Sequence, residues 1–314
     1  MTLYVLRRLA IGLVLAVLVT FITYLLLSPS FDDIVVSKLG PTGATPEAVA
    51  AVKTDLGLDR PIVVQYLDWL GGVLHGDFGI SYFTSQPVGD AVASRLAVTL
   101  SIVLVALAIS VVVSVTLGVL AAYRGGAVDR IVQSVSLIGH LVPSLLIAIA
   151  FVYIFAVKLG WLPATGYTPL SEDPVGWLKS ITIPVIALVI GGIANLSAQI
   201  RGAMIDELHK DYVRTLRTRG IGTRSIVLKH VLRNAAGPAL TVLSLEFLTM
   251  LGGALIIESV FALPGYGQFA FTSSLQGDIP VIMGITLFGT LLVVGVNLLT
   301  DLVNGWLNPK ARVL

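Results

Sequence analysis

Residues 206–234 read DELHKDYVRTLRTRGIGTRSIVLKHVLRN, a long polar and basic interruption in a chain that is otherwise mostly apolar. Two short helices are legible in it. The first, residues 211–219, sets Tyr212, Val213 and Leu216 on one face by i, i+3, i+4 spacing, while Arg214 and Arg217 point elsewhere. Asp206, Glu207 and Asp211 precede it and arginines close it, the order that the helix dipole favours. Gly220 stands just past its end, where a left-handed cap is easiest, and Thr223 is placed to cap a second helix. A short amphipathic helix between two apolar runs needs an apolar partner. No soluble domain in the chain supplies one, so the expectation is that another protein does.

Composition bounds the class. Of 314 residues, 56% are hydrophobic and only 12% charged, against about a quarter charged in ordinary soluble domains. The chain is therefore read as an integral membrane protein. The absence of cysteine excludes disulfides, thiolate metal sites and cysteine nucleophiles. Four histidines (His75, His140, His209, His230) lie scattered, none at the spacing of a zinc site.

Moving outward from the basic stretch, the apolar runs predict six transmembrane helices in an all-α fold. The first follows Arg7 and Arg8 and covers residues 9–27, too long for the apolar core of a signal peptide. The others are expected at 98–122, at 131–157 with a bend at Pro143, at 181–200, at 238–261 and at 280–306. Residues 28–97 carry eight acids and four bases and are expected outside the membrane, with short helices at 46–56 and 62–74. In the second of these, Tyr66, Trp69 and Leu70 share one side, the pattern of an interfacial anchor. Pro264-Gly265 reads as a type II turn. Arg7, Arg8, Arg124, Arg130, the eight bases of 201–233, Lys310 and Arg312 fall on one face, 14 of the 20 Lys plus Arg. That face is expected to be cytoplasmic, with both termini and the basic stretch.

Inside the spans the polar residues are few. Asn195, Gln199 and Glu246 are candidates for a pathway or for helix packing. The plainer reading of Glu246 is a hydrogen-bonded glutamate between helices, that of His140 a packed histidine; Glu258 and Asp301, near span ends, read as interfacial. No phosphate-binding loop, nucleophile elbow or carboxylate pair stands out, so the chain itself is read as binding no nucleotide, cofactor or metal, and as no enzyme. The bland reading of the basic stretch is a topology signal near anionic lipid.

Asp211-Tyr212-Val213-Arg214-Thr215-Leu216-Arg217-Thr218-Arg219-Gly220, followed by Lys229-His230-Val231-Leu232-Arg233-Asn234-Ala235, resembles the coupling-loop signature of the dipeptide/oligopeptide/nickel branch of ABC importer permeases. Further resemblance lies in LGLDRPIVVQYLDWLGGVLHGDFG at 56–79, ESVFALPGYGQ at 258–268, GDIPVIMG at 277–284 and DLVNGWLNPKAR at 301–312. The long segment after the first helix is similar to the B-type subunit of the permease pair. The resemblance implies a type I permease divided into a first helix (1–27), an extracytoplasmic segment (28–97), a five-helix core (98–307) containing the coupling loop 201–236, and a cytoplasmic tail (308–314). It implies ATPase coupling through Asp211, Tyr212, Val213, Arg214, Thr215, Leu216, Arg217 and Gly220. Implied partners are a homologous second permease, two cytoplasmic ATPases carrying ATP and magnesium, an extracytoplasmic substrate-binding protein and membrane lipid, with no nucleic acid. The location implied is a bacterial or archaeal inner membrane. Cargo in such a family is a dipeptide, oligopeptide, nickel chelate or haem, moved inward by alternating access. An ion-coupled secondary transporter using Glu246 and a non-transport scaffold are the competing classes.

Overall fold

The computed structural model describes residues 2–40 and 43–307, and these are almost wholly helical. The tail expected at 308–314, with Lys310 and Arg312, lies outside the described residues. In chain order the helices are α1 (Thr2–Leu27), α2 (Phe31–Leu39), α3 (Pro46–Asp55), α4 (Ile62–Leu74), α5 (Val88–Arg124), α6 (Gly126–Leu141) and α7 (Ser144–Phe151), the last continued by a wider π-coil over Val152–Lys158. Then come α8 (Pro174–Leu208), α9 (Asp211–Thr218), α10 (Thr223–Ser225) with a π-coil over Ile226–Val231, α11 (Leu232–Phe261), α12 (Tyr266–Gln276) and α13 (Ile279–Leu307). Among the described residues five helices are long and apolar enough to cross a bilayer, and the pair α6–α7 makes a sixth span if the two are counted as one.

The expected bend at Pro143 is a full break, 90° between α6 and α7. Val142 takes an extended backbone (φ −85°, ψ 119°) because the ring of Pro143 crowds the helical conformation before it. Pro143 itself is the N-cap of α7, non-helical at φ −58° and ψ 134°, and Ser144 is the first helical residue. Other boundaries shift outward. α8 begins at Pro174 and runs to Leu208, and α11 begins at Leu232, so the segment outside the spans shrinks from the expected 201–236 to 209–231.

The described residues form two compact units, one within 2–98 and 264–295, the other within 99–263 and 296–307. In the first, α1, α2 and α4 bury Tyr24, Phe31, Ile34, Val35 and Tyr66 together with Ile279 and Met283 of α13. The first-loop turn is pinned there by Asp278, which is 2% exposed. It accepts from the Ser81 hydroxyl at 2.5 Å and from the Tyr82 N–H at 3.1 Å. Pro264-Gly265 is not a type II turn: Gly265 is extended (φ −92°, ψ 171°), and the left-handed residue of this corner is Ala262 at φ 49°. The chain leaves α11 through Ala262 and enters α12 directly.

In the second unit α8 packs on α6, α7 and α11, and it is the most enclosed of the five long spans. The α8–α11 contact is close because residue 192 is glycine. A Cβ there would stand 2.4 Å from Met250 Cε, 2.9 Å from Ser110 Oγ and 3.2 Å from Glu246 Oε1. Small residues at such crossings are how membrane helices gain van der Waals contact without a hydrophobic driving force.

Candidate functional site

The basic stretch is built as a short bracket on the ends of the spans. Lys210, extended at φ −71° and ψ 150°, turns the chain out of α8, and α9 starts at Asp211. Its acid lies in the first turn and Arg217 in the last, matching the dipole. α9 ends at Thr218 with Arg219 as its C-cap, and Gly220 takes φ +74°, a conformation that a β-branched residue resists. The second cap differs from expectation: Gly222 precedes α10, with no side-chain cap, and Thr223 is its first helical residue.

The apolar face of α9 corrects the expectation that it lacks a partner in its own chain. Val213 is 1% exposed. With the half-buried Tyr212 and Leu216 it joins one cluster formed by Val119 of α5, Ile200 and Met204 of α8, Ile226, Val227 and Val231 of the π-coil, and Ala235 of α11. The length of α8 explains why: its last two turns project past the apolar run and offer the surface that a short reading of the span omitted. Tyr212 donates to Glu207 Oε2 at 2.9 Å, and Lys210 pairs with the same carboxylate. That bond raises the Lys210 pKa, while burial first, and then the bond to Glu207, raises that of Tyr212. The opposite face, Asp211, Arg214, Thr215, Arg217 and Thr218, is exposed, with Arg214 3.7 Å from Asp211. An acid at Leu216 would therefore disturb the chain's own packing, so a docking test belongs on the outer face.

Of the three polar candidates in the spans, the fold brings two together. Asn195 of α8 donates to Glu246 Oε2 of α11 at 2.7 Å, and Glu246 is 4% exposed. This is the hydrogen-bonded glutamate of the plainer reading. Asn195 also borders an open cavity of about 640 Å³ shared with Arg130, Gln133, Ser136, His140 and Arg201. His140 is exposed there and is not the packed histidine expected. Gln199 is separated from the pair and lines a second cavity, about 370 Å³, with Asp206, Glu207 and Lys210. Glu258, expected at the interface, is fully buried and accepts from the Thr99 hydroxyl.

Sequence reasoning missed the links between α6 and α8. Arg201 grips Asp129 with two donors, one of them Nη2 at 2.6 Å, and Ser136 meets Ser197 at 2.8 Å. Opposite charges 72 residues apart carry no periodic signal; only the folded helices bring them together.

Compared with known families, residues 114–313 match the model of the binding-protein-dependent transport system inner membrane component, and residues 1–103 match that of its N-terminal membrane component. The chain belongs to this family. Relatives agree along its whole length. A protein of Brucella abortus named for a peptide transport system permease is 39% identical, covering 99% of each chain. One of Sinorhizobium fredii named for a peptide ABC transporter permease is 36% identical over 99% of this chain and all of its own. The metal-staphylopine import system permease protein of Staphylococcus aureus is 32% identical over 98% of each. Among solved structures, the MetNI methionine ABC transporter in inward-facing conformations contains a chain that matches with TM-score 0.55 at 15% identity. That match covers 69% of this chain and 96% of the other, and it gives the fold: the type I permease.

The protein is thus a multi-pass permease subunit of an ABC importer, a translocating rather than a catalytic component. Membership implies in general terms a partner permease, a binding protein and separate ATPase subunits that use the ATP.

Proposed function

We propose that this subunit carries peptides into the cytoplasm by alternating access, working with a homologous second permease, two cytoplasmic ATPases that bind ATP and magnesium, and an extracytoplasmic binding protein. The names of the Brucella and Sinorhizobium relatives support peptide cargo. The staphylococcal name supports a metal chelate as the second reading. Asp211–Gly220 is the contact through which the ATPase drives the chain, and the cavity beside Asn195 belongs to the pathway.

The observation that carries this reading is the two-faced seating of α9. Its inner side is locked to α5, α8 and α11 through one apolar cluster, and its outer side presents Arg214, Arg217 and Thr218. A push on the outer face therefore reaches three spans through rigid contacts, as a lever must. Arg217→Glu reverses one outer charge and leaves the cluster intact. In reconstituted complexes it should lower ATPase co-purification and substrate-stimulated hydrolysis about tenfold, the effect of ~1.4 kcal/mol. Parental coupling with Arg217→Glu would reduce α9 to a topology signal.

A further inference from the structure

The sequence places α4 in the segment outside the membrane, yet its contacts lie deep along α1. Tyr66 of α4 donates through its hydroxyl to the Val17 carbonyl at 2.9 Å and stands 2.9 Å from the Thr20 hydroxyl. One residue earlier, Gln65 accepts from the Tyr24 hydroxyl at 2.7 Å. The uncharged run of α1, residues 9–27, is about 28 Å long at 1.5 Å per residue, close to the thickness of a bilayer's hydrocarbon core. Val17 lies ten residues before Leu27, about 15 Å inside the end of that run. Even with a tyrosine's length allowed for, α4 sits beside the apolar run and not beyond it.

The helix has three sectors. Gln65, Tyr66, Trp69 and Leu70 face the protein, packed with Phe21, Tyr24 and Met283. Val63, Leu67 and Leu74 recur at i, i+4 and i+11 on a second sector, with Val64 at its edge, and they are 55%, 56%, 79% and 41% exposed. Asp68, paired with Arg60 at 2.6 Å, and His75 follow on the third. A water-facing helix would carry its polar residues where α4 carries valine and leucine. A helix lying in the membrane surface carries one apolar sector toward the acyl chains and a polar edge toward the headgroups.

We infer that α4 is an in-plane membrane helix, seated in the leaflet beside the C-terminal half of α1, with Val63, Leu67 and Leu74 against phospholipid acyl chains and Asp68 and His75 at headgroup level. Its occupant is bilayer lipid, argued from its depth along α1. The inference is independent of the cargo and of which side of the membrane α1 begins on.

The cysteine-free sequence allows a clean test. Single cysteines at positions 62–75, and at the exposed Glu47 of α3 as an aqueous reference, are nitroxide-labelled in the transporter complex reconstituted in phosphatidylcholine–phosphatidylglycerol vesicles. Collision with oxygen, which concentrates in the acyl region, is compared with collision with a water-soluble nickel chelate. The expected result is a helical alternation: oxygen maxima at Val63, Leu67 and Leu74, nickel maxima at Asp68 and His75, and an oxygen-to-nickel ratio at Leu67 several-fold above that at Glu47. Nickel access at Leu67 equal to that at Glu47 would put α4 in water and overturn the inference. Shielding of Leu67 from both reagents would overturn it equally, by showing a protein as the occupant. Because Leu67 is exposed, its replacement by cysteine leaves the fold intact, and labels at Val63 and Leu74 report the same sector independently.

Discussion

Glu246 decides between two transport classes at the scale of a single side chain. A carboxylate in a membrane span is costly unless paired, and here Asn195 donates to one of its oxygens while Gly192 lets the helices close around it. A packing role asks for a hydrogen-bonding side chain of this shape, not for a charge. Glu246→Gln should therefore retain uptake that requires ATP and lose activity only in part. Uptake that persists without ATP but collapses with an uncoupler would favour an ion-coupled mechanism instead. Gly220 differs in that its identity is forced, by its positive φ at the end of α9.

At the scale of elements, α8 organises the second unit. It holds α6 through the Asp129–Arg201 pair and the Ser136–Ser197 contact, α11 through the crossing at Gly192, and α9 through Ile200 and Met204. Two adjacent glycines offer a controlled comparison. Gly192→Ala must push aside the Met250 methyl, the Ser110 hydroxyl and a Glu246 oxygen together inside the crossing and should cost about 1 kcal/mol. Gly191, where an added Cβ meets nothing within 4 Å, should instead gain up to about 1 kcal/mol as alanine from helix propensity. Unfolding midpoints in mild detergent should move in opposite directions. Equal shifts would mean that the crossing is looser than its contacts indicate.

For the whole molecule the question is orientation. Twelve of the fourteen bases assigned to one face lie within the described residues, and they cluster at the ends of α1, α5, α6 and α8 and along 209–233. That asymmetry argues for a cytoplasmic α9 by the positive-inside rule. A cysteine at Thr218, exposed on α9, should resist an impermeant thiol reagent in intact cells and react once the membrane is opened. Labelling in intact cells would invert the topology and remove α9 from the ATPase.

The sequence by itself determined roughly where the long apolar helices lie and that a short amphipathic helix stands between α8 and α11; whether α6 and α7 make one span was not legible in it. Long apolar runs and charge asymmetry are properties of the chain read locally, and the bilayer acts on them locally. The helix Asp211–Thr218 and its glycine cap were legible for the same reason: spacing, dipole and φ are set within a few residues. What covers each face was decided only by the tertiary structure. α9 looked unpartnered because its partner surface is assembled from α5, α8 and α11, parts of the chain up to about a hundred residues away. Glu258 looked interfacial because its position in the helix was visible and its neighbour Thr99, 159 residues earlier, was not. α4 looked like an interfacial anchor through Tyr66, Trp69 and Leu70, but those residues pack against the chain's own Phe21, Tyr24 and Met283. Its place along α1 is fixed by Tyr66 reaching Val17, a contact between residues 49 apart that no local pattern encodes.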